Sequence, residues 1–196
     1  MASIRFDAEL IRRYGGRGPR YTSYPTAPQF NDGFTSRDYL RHAAQSNAGT
    51  EAAPLSLYVH LPFCRSLCYY CGCTKVITRN ADRAERYLVA LLNEAAMHGA
   101  HYDERRAVEQ IHLGGGSPTF YSDDELARLL THLRQCFSFA PPQELQCAIE
   151  VDPRTVSPGR IERLAAMGFN RLSLGVQDFD AKVQRAVNRE QSREDT

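Results

Sequence analysis

The sequence has 196 residues, enough for one domain with a sizeable core or for part of a larger one. It is 42% hydrophobic and 24% charged, and its formal net charge of +1 gives no broad attraction to nucleic acid or membranes. The N-terminal residues lack the apolar core of a signal peptide, and no apolar run is long enough to span a bilayer. We therefore expect a cytoplasmic protein with reduced thiols, no nucleic-acid partner and no membrane insertion.

Residues 1–53 are predicted to form an N-terminal leader whose pattern differs from that of the following residues. A short helix is expected from Ile4 to Tyr14, with Gly15-Gly16 ending it. A second helix is expected from Ser36 to Ala44, with Thr35 as its N-cap. Between the two helices, the run G-R-G-P-R-Y-T-S-Y-P-T-A-P predicts an extended, ordered loop that packs against the body of the protein.

From Leu55 onwards, strand and helix patterns alternate along the chain. The predicted strands are Leu55–Leu61, Val108–Leu113, Leu145–Val151 and Arg171–Val176. The first predicted helix is Asp82–His98, and the last is Phe179–Asn188. Between them, one helix starts at Ser122, where Glu125 completes a capping box. Another starts at Ser157-Pro158 and ends at Gly168. Four β–α units in a row predict an α/β fold with a parallel sheet and right-handed crossovers.

Four cysteines lie close together, directly after the first predicted strand. Cys64, Cys68 and Cys71 have the spacing C-x3-C-x2-C, and Cys73 follows in C-G-C. This spacing fits neither the paired ligands of structural zinc sites nor the loop of bacterial ferredoxins. Thiolates are soft ligands, and three of them can hold three corners of a cubane cluster and leave the fourth iron open. The spacing alone leaves open whether Cys73 replaces Cys71 as the third ligand.

This loop resembles the signature loop of the radical S-adenosylmethionine (SAM) enzymes. Together with the leader run Y-T-S-Y-P-T, the longer string Y-V-H-L-P-F-C-R-S-L-C-Y-Y-C-G-C resembles one branch, the oxygen-independent coproporphyrinogen III oxidases. The resemblance extends from Gly18-Pro19-Arg20 to Asn188-Arg189-Glu190 and implies a partial (β/α)6-type barrel. The related haem chaperone, a binding protein, is the alternative, but that relative lacks the C-G-C cysteine and the Y-T-S-Y-P-T leader.

The resemblance also implies a set of site residues. The cluster ligands would be Cys64, Cys68 and Cys71. The cofactor contacts would be Tyr58, Tyr70, Gly115, Gly116, Ser117, Glu150, Gln177 and Arg189. Glu150 would meet the ribose hydroxyls and Arg189 the methionine carboxylate, to which a guanidinium binds as a fork. Cys73 would be a site residue outside the cluster, with a small packed residue as an equal alternative, and His60 is predicted to be a hydrogen-bonded structural histidine.

The implied activity is the oxidative decarboxylation of two propionates of coproporphyrinogen III to vinyl groups, which gives protoporphyrinogen IX. It would use a [4Fe–4S] cluster, two SAM molecules per substrate and an electron donor, and the radical chemistry assigns no acid–base residue. Arg17 and Arg20 are candidates to meet the substrate propionates. We expect a monomer.

Residues 54–196 would form an incomplete radical SAM core with about four β/α units, without the later strands and the C-terminal domain of the family. A four-stranded open sheet would leave a hydrophobic edge strand uncovered, which favours the interpretation of the chain as a fragment. We accordingly expect a labile cluster and little or no turnover by this chain alone.

Overall fold

The computed structural model describes residues 6–16, 26–49, 53–194 and 196. The chain divides into two compact units, Met1–Tyr39 and Leu40–Thr196. Most of the predicted loop G-R-G-P-R-Y-T-S-Y-P-T-A-P, including Arg17 and Arg20, lies outside the described residues. The expected division into a leader of residues 1–53 and a core of residues 54–196 stays a prediction.

The first unit contains helix α1, Ala8–Tyr14, and a short 3-10 turn at Ala27–Gln29. Helix α1 begins later than the predicted Ile4 because Asp7 has an extended backbone and caps the helix, accepting hydrogen bonds from the backbone N–H groups of Glu9 and Leu10. Gly15 ends it, as predicted.

Helix α2 spans Ser36–Asn47 and runs three residues beyond the predicted end at Ala44. Its start agrees with the prediction, since the hydroxyl and backbone N–H of Thr35 both donate to the carboxylate of Asp38. The last turn is fixed by long-range contacts that the local pattern does not encode. There the Asn47 amide donates to the carbonyl oxygen of His101 over 2.8 Å.

The strands of the second unit are β1 Leu55–Leu61, β2 Phe63–Cys64, β3 Val76–Ile77, β4 Val108–Gly115, β5 Gln146–Val151 and β6 Arg171–Leu174. Four of them form a parallel sheet with the order β1-β4-β5-β6. A separate parallel pair, β2-β3, lies beside the cysteine loop. The remaining helices are α3 Ala81–Gly99, α4 Asp123–Cys136, α5 Pro158–Ala166 and α6 Ala181–Ala186. The predicted order of β/α units and the parallel sheet are confirmed.

Ser122 and Ser157 each precede a helix, but only Ser122 caps its helix with a side-chain hydrogen bond. Ser122 makes a full capping box with Glu125, with hydrogen bonds in both directions. Ser157 also precedes its helix, and Pro158 takes the first position, but the Ser157 hydroxyl makes no capping hydrogen bond. The predicted start of α5 is therefore right, while the predicted serine cap is absent.

The hydrophobic core lies between the sheet and the helices that cover it. The four leucines predicted on one side of α4 are all buried: Leu126, Leu129, Leu130 and Leu133. Leu61, Leu113 and Ile149, from three neighbouring strands, are 0% exposed. The edge strand β6 differs, since its Leu172 and Leu174 are 41% and 47% exposed. Among the described residues, no helix is both long and apolar enough to cross a membrane.

Candidate cluster and cofactor site

A cavity of about 490 Å³ lies at the carboxyl ends of the parallel strands, between these ends and the cysteine loop. All predicted cluster and cofactor residues line it except Tyr58. Those that line it are Cys64, Cys68, Cys71, Tyr70, Gly115, Gly116, Ser117, Glu150, Gln177 and Arg189. Cys73 also lines it. The fold therefore brings together residues that are up to 125 positions apart, Cys64 and Arg189.

The cysteine loop leaves the sheet where Pro62 ends β1, and the β2-β3 pair closes its base. The N–H of Val76 donates to the carbonyl oxygen of Pro62 over 2.8 Å, and the N–H of Thr78 donates to that of Cys64 over 2.9 Å. At the far side, the Asn188 side chain donates to the carbonyl oxygen of Leu67 over 2.7 Å. Hydrogen bonds to its backbone thus hold the loop at both sides, which limits the positions that its thiols can take.

The three predicted ligand thiols are free and differ in exposure: Cys68 is buried, whereas Cys64 and Cys71 are partly buried. Burial, followed by the charges of Cys71 and Cys68, raises the pKa of the Cys64 thiol to about 11. The three thiols are therefore close enough to repel one another as thiolates, and a bound cation would relieve that repulsion.

Within the described residues, no three His, Cys, Asp or Glu side chains lie close enough together to hold a single metal ion. A zinc ion needs all its ligands within about 2.3 Å of one centre. In a cubane cluster each thiolate binds a different iron, so the thiols lie farther apart. A soft donor set from one tethered loop, lining one cavity, fits a cluster of this kind.

Cys73 lies at the edge of the site. Burial first, and then the charge of Cys71 and a hydrogen bond to it, raise the pKa of the Cys73 thiol, and Glu150 raises it further. Cys73 is exposed and therefore not the small packed residue of the alternative interpretation.

Two arginines, both paired with Asp152 at the end of β5, converge on Cys68. The guanidinium of Arg154 donates to the Asp152 carboxylate over 2.7 Å and to the Sγ of Cys68 over 3.6 Å. Arg189 donates to the same sulfur over 3.6 Å and pairs with Asp152 at 3.3 Å. Burial raises the pKa of Asp152, but the hydrogen bonds and charges of the two arginines outweigh it, so this pKa is lowered overall.

Sequence reasoning missed Arg154. The available signal was its position two residues after Asp152, in the run D-P-R that follows the strand directly. Asp152 caps a short 3-10 turn here and accepts the N–H of Arg154, and this turn directs the guanidinium back towards the cavity.

Arg189, predicted to bind a carboxylate, is 8% exposed and already has protein partners. Besides Cys68 and Asp152, its Nη2 donates to the carbonyl oxygen of Gly175. Its Nε is buried, and no hydrogen-bond partner for it lies among the described residues. An unpaired buried N–H is costly, so this atom needs a partner that the described residues do not supply.

Glu150 lies at the centre of the strand ends. Its carboxylate accepts hydrogen bonds from His112 Nε2 over 3.1 Å and from the N–H of Gly115 over 3.2 Å. Its side chain is still 41% exposed, so oxygen lone pairs remain for a ligand in the cavity. Tyr58 stacks on the His112 ring, with the ring centroids 5.8 Å apart, and its side chain lies next to the cavity rather than in its lining.

The glycine run is required by the protein's own packing. A Cβ on Gly114 would come within 2.9 Å of Glu150, one on Gly115 within 2.9 Å of His60, and one on Gly116 within 2.6 Å of the Pro62 carbonyl oxygen. Gly115 also has a φ of +117°, which side chains rarely adopt. The close packing of this strand–helix turn is therefore sufficient to explain these glycines without a ligand.

Gln177 lies in the cavity lining with a φ of 71°, an uncommon value for a residue other than glycine. Strained backbone of this kind is concentrated at functional sites. Tyr70, in the cysteine loop, lines the same cavity and is 45% exposed.

The sequence matches the Radical SAM superfamily over residues 58–196. The chain therefore belongs to the radical SAM superfamily, and this membership implies a [4Fe–4S] cluster and SAM as its cofactors. The parallel sheet and the cavity at its carboxyl edge agree with this class.

Within the superfamily, the chain resembles the oxygen-independent coproporphyrinogen III oxidases. It is 47% identical to that of Pseudomonas aeruginosa over 194 residues, which cover 99% of this chain and 42% of the relative. It is 48% identical to that of Escherichia coli over 191 residues, 97% of this chain and 40% of the relative. The solved structure of the Escherichia coli coproporphyrinogen III oxidase, a radical SAM enzyme, superposes with a TM-score of 0.81 at 44% identity, covering 98% of this chain and 41% of that one. The chain thus spans about 40% of the length of these relatives.

Proposed function

We propose that this protein takes part in the radical SAM oxidative decarboxylation of coproporphyrinogen III, in which two propionates become vinyl groups and protoporphyrinogen IX is formed. The observation that carries the proposal is the single cavity that Cys64, Cys68 and Cys71 line together with Glu150 and Arg189. The identity to oxidases of that name over nearly the whole chain supports the choice of substrate.

Cys64, Cys68 and Cys71 would hold the cluster and leave one iron open to SAM. When bound, the cluster and SAM supply the radical that removes a hydrogen atom from a propionate. Two SAM molecules would serve each substrate, one for each propionate. The proposed cofactor contacts are those of the cavity lining, Tyr70, Gly115, Gly116, Ser117, Glu150, Gln177 and Arg189, with Tyr58 next to it.

The chain's own residues would bind and orient the cofactor. Glu150 would accept hydrogen bonds from ribose hydroxyls with the exposed part of its carboxylate. Arg189 would bind the methionine carboxylate, and its buried Nε is one of its donors without a partner among the described residues. Its Nη1 and Nη2 already contact Cys68, Gly175 and Asp152, so the carboxylate would share the guanidinium with these protein groups.

The proposal includes an electron donor for the cluster, a monomeric protein and a location in the cytoplasm. Thiol ligands have to stay reduced before cluster assembly, and the cytoplasm keeps them so.

The experiment that tests the function is anaerobic reconstitution with iron and sulfide, followed by measurement of both per chain. The reconstituted protein is then incubated with reductant, SAM and coproporphyrinogen III, and 5′-deoxyadenosine and protoporphyrinogen IX are measured. Cys64→Ala is expected to lose the cluster. Cys136→Ala is the matched control, because Cys136 ends helix α4 and is not part of the cavity lining.

Each result is decisive for one part of the proposal. Bound zinc without sulfide would contradict the radical SAM site. A cluster that cleaves no SAM would favour a binding protein over an enzyme. Because little turnover is expected of this chain alone, 5′-deoxyadenosine formed without protoporphyrinogen IX would support the radical step, whereas protoporphyrinogen IX formed by this chain would contradict that expectation.

A further inference from the structure

We infer that Arg154 is a positioning residue of the cluster site, which acts through Cys68 by donating a hydrogen bond to its sulfur and thereby raises the reduction potential of the bound cluster. The inference rests on the proposed function, since it needs Cys68 to be a cluster ligand. It concerns Cys68 alone among the three proposed ligands, because no arginine among the described residues donates a hydrogen bond to Cys64 or Cys71.

The two guanidinium groups single out Cys68. Nη2 of Arg154 and Nη1 of Arg189 each lie 3.6 Å from its Sγ. Sulfur is larger than oxygen, so this distance is within hydrogen-bond range for an N–H donor. In the part of the chain that the structure describes, no arginine donates a hydrogen bond to the sulfur of Cys64 or Cys71.

Arg154 is held in place by Asp152. Its Nε lies 3.0 Å and its Nη2 2.7 Å from the two carboxylate oxygens, the fork geometry that fixes a guanidinium in orientation. The side chains of Asp152 and Arg154 are only 12% and 22% exposed, so solvent weakens this pair little. Asp152 also pairs with Arg189 at 3.3 Å, and one carboxylate therefore orients both donors.

Hydrogen bonds to the sulfur ligands are one of the means by which proteins set the potential of an iron–sulfur cluster. Reduction adds a negative charge to the cluster. A nearby guanidinium that donates to a ligand sulfur stabilises the reduced form more than the oxidised form. Removal of the Arg154 guanidinium should therefore lower the potential and make the cluster harder to reduce.

A purely structural role makes a different prediction. If Arg154 served only to pair with Asp152, its loss would lower the stability of the fold and leave the potential of any cluster that forms unchanged. The potential therefore separates the two roles, and it can be read without turnover of substrate.

The test compares Arg154→Gln and Arg154→Lys with the unchanged protein, all reconstituted anaerobically. Arg128→Gln is the matched control, because Arg128 also pairs with a carboxylate, Glu85 at 2.7 Å, but on exposed helix surfaces. Iron and sulfide per chain, the unfolding transition and the midpoint potential are measured, the last by a redox titration followed by electron paramagnetic resonance.

We expect Arg154→Gln to shift the ratio of reduced to oxidised cluster about tenfold at fixed potential, or about 59 mV for one electron, towards the oxidised form. Arg154→Lys should shift it in the same direction by less, since lysine keeps the charge but cannot make the fork. Arg128→Gln should leave it unchanged.

An unchanged potential in Arg154→Gln with full iron and sulfide overturns the inference and leaves the proposed function intact. If Arg154→Gln holds no cluster, Arg154→Lys decides, and an unchanged potential there overturns the inference as well. Failure of the unchanged protein to form a cluster removes the proposed function, and this inference falls with it.

Discussion

The imidazole ring of His60 occupies the space in which a side chain on Gly115 would lie. A Cβ on Gly115 would come 2.9 Å from Cε1 of His60. The ring is fixed on both sides, with Nε2 2.9 Å from the carbonyl oxygen of Thr74 and Nδ1 3.0 Å from the hydroxyl of Tyr58. Because a carbonyl only accepts, Nε2 carries the proton, and in the neutral ring Nδ1 accepts from the tyrosine. His60 is thus the hydrogen-bonded structural histidine that was predicted.

Gly115→Ala should therefore destabilise the fold. The φ of +117° is unfavourable for alanine, and the methyl group would clash with a ring that two hydrogen bonds hold in place. We expect a loss of about 2–4 kcal/mol in the free energy of unfolding, measured by chemical denaturation.

Gly159→Ala is the control, since its Cβ would meet only the end of the Arg163 side chain, at 3.7 Å, in helix α5. It should be neutral or stabilising by up to about 1 kcal/mol. Equal effects of the two substitutions would show that the position of the His60 ring does not constrain Gly115.

The order of elements could be predicted from the sequence because hydrophobic spacing records which faces are buried. The leucines of α4 and the bounds of β1 follow directly from that pattern. Element ends were less predictable where distant residues decide them. Strand β6 ends at Leu174, two residues before the predicted Val176. Helix α2 extends beyond its predicted end to Asn47, whose side chain donates a hydrogen bond to His101.

The sequence predicted which residues belong to the candidate site better than it predicted the contacts that they make. Strand ends in a parallel sheet meet at one edge, so residues after each strand could be grouped from the sequence alone. The partners of Arg189 and the contribution of Arg154 depend on side-chain directions across the cavity, which no local pattern encodes. The glycines were assigned by resemblance to a ligand, and no local pattern encodes the close approach of Glu150, His60 and Pro62 to them.

The two serines that precede helices offer a matched pair of substitutions. Ser122→Ala removes a hydroxyl that accepts the N–H of Glu125 and should cost about 1 kcal/mol in the free energy of unfolding. Ser157→Ala removes a hydroxyl that makes no capping hydrogen bond, and its effect should stay within about 0.5 kcal/mol. Both are read from denaturant unfolding at neutral pH. A cost for Ser157→Ala as large as that for Ser122→Ala would mean that the Ser157 hydroxyl caps its helix in solution.

Cys147 should make stability fall at alkaline pH. It is 0% exposed, and burial raises the pKa of its thiol to about 11. An unfolded cysteine has a pKa of about 8.5. Since the folded state favours the neutral thiol, this contribution is complete below the unfolded pKa and is lost as pH rises from there towards 11. The loss over that range should be on the order of 3 kcal/mol.

The measurement is the difference in unfolding free energy between the unchanged protein and Cys147→Ala, followed from pH 7.5 to pH 10.5. Other groups also change the stability in this range, among them Tyr121, whose pKa burial raises in the folded protein, and the difference cancels them. This difference in unfolding free energy should become smaller as pH rises. Ile149→Val, on the same strand, removes a buried group that does not ionise, so its difference should stay constant. A constant difference for Cys147→Ala would contradict the raised pKa.

Cys73 and Cys71 can be told apart as cluster ligands, which the spacing alone leaves open. Cys73 is exposed, and we expect it to lie outside a cluster held by Cys64, Cys68 and Cys71. Cys71→Ala should lose most of the bound iron and sulfide after anaerobic reconstitution, whereas Cys73→Ala should keep them close to the level of the unchanged protein. The reverse pattern would make Cys73 the third ligand. Loss in both variants, with Cys136→Ala unaffected, would mean that both thiols are needed to assemble the cluster.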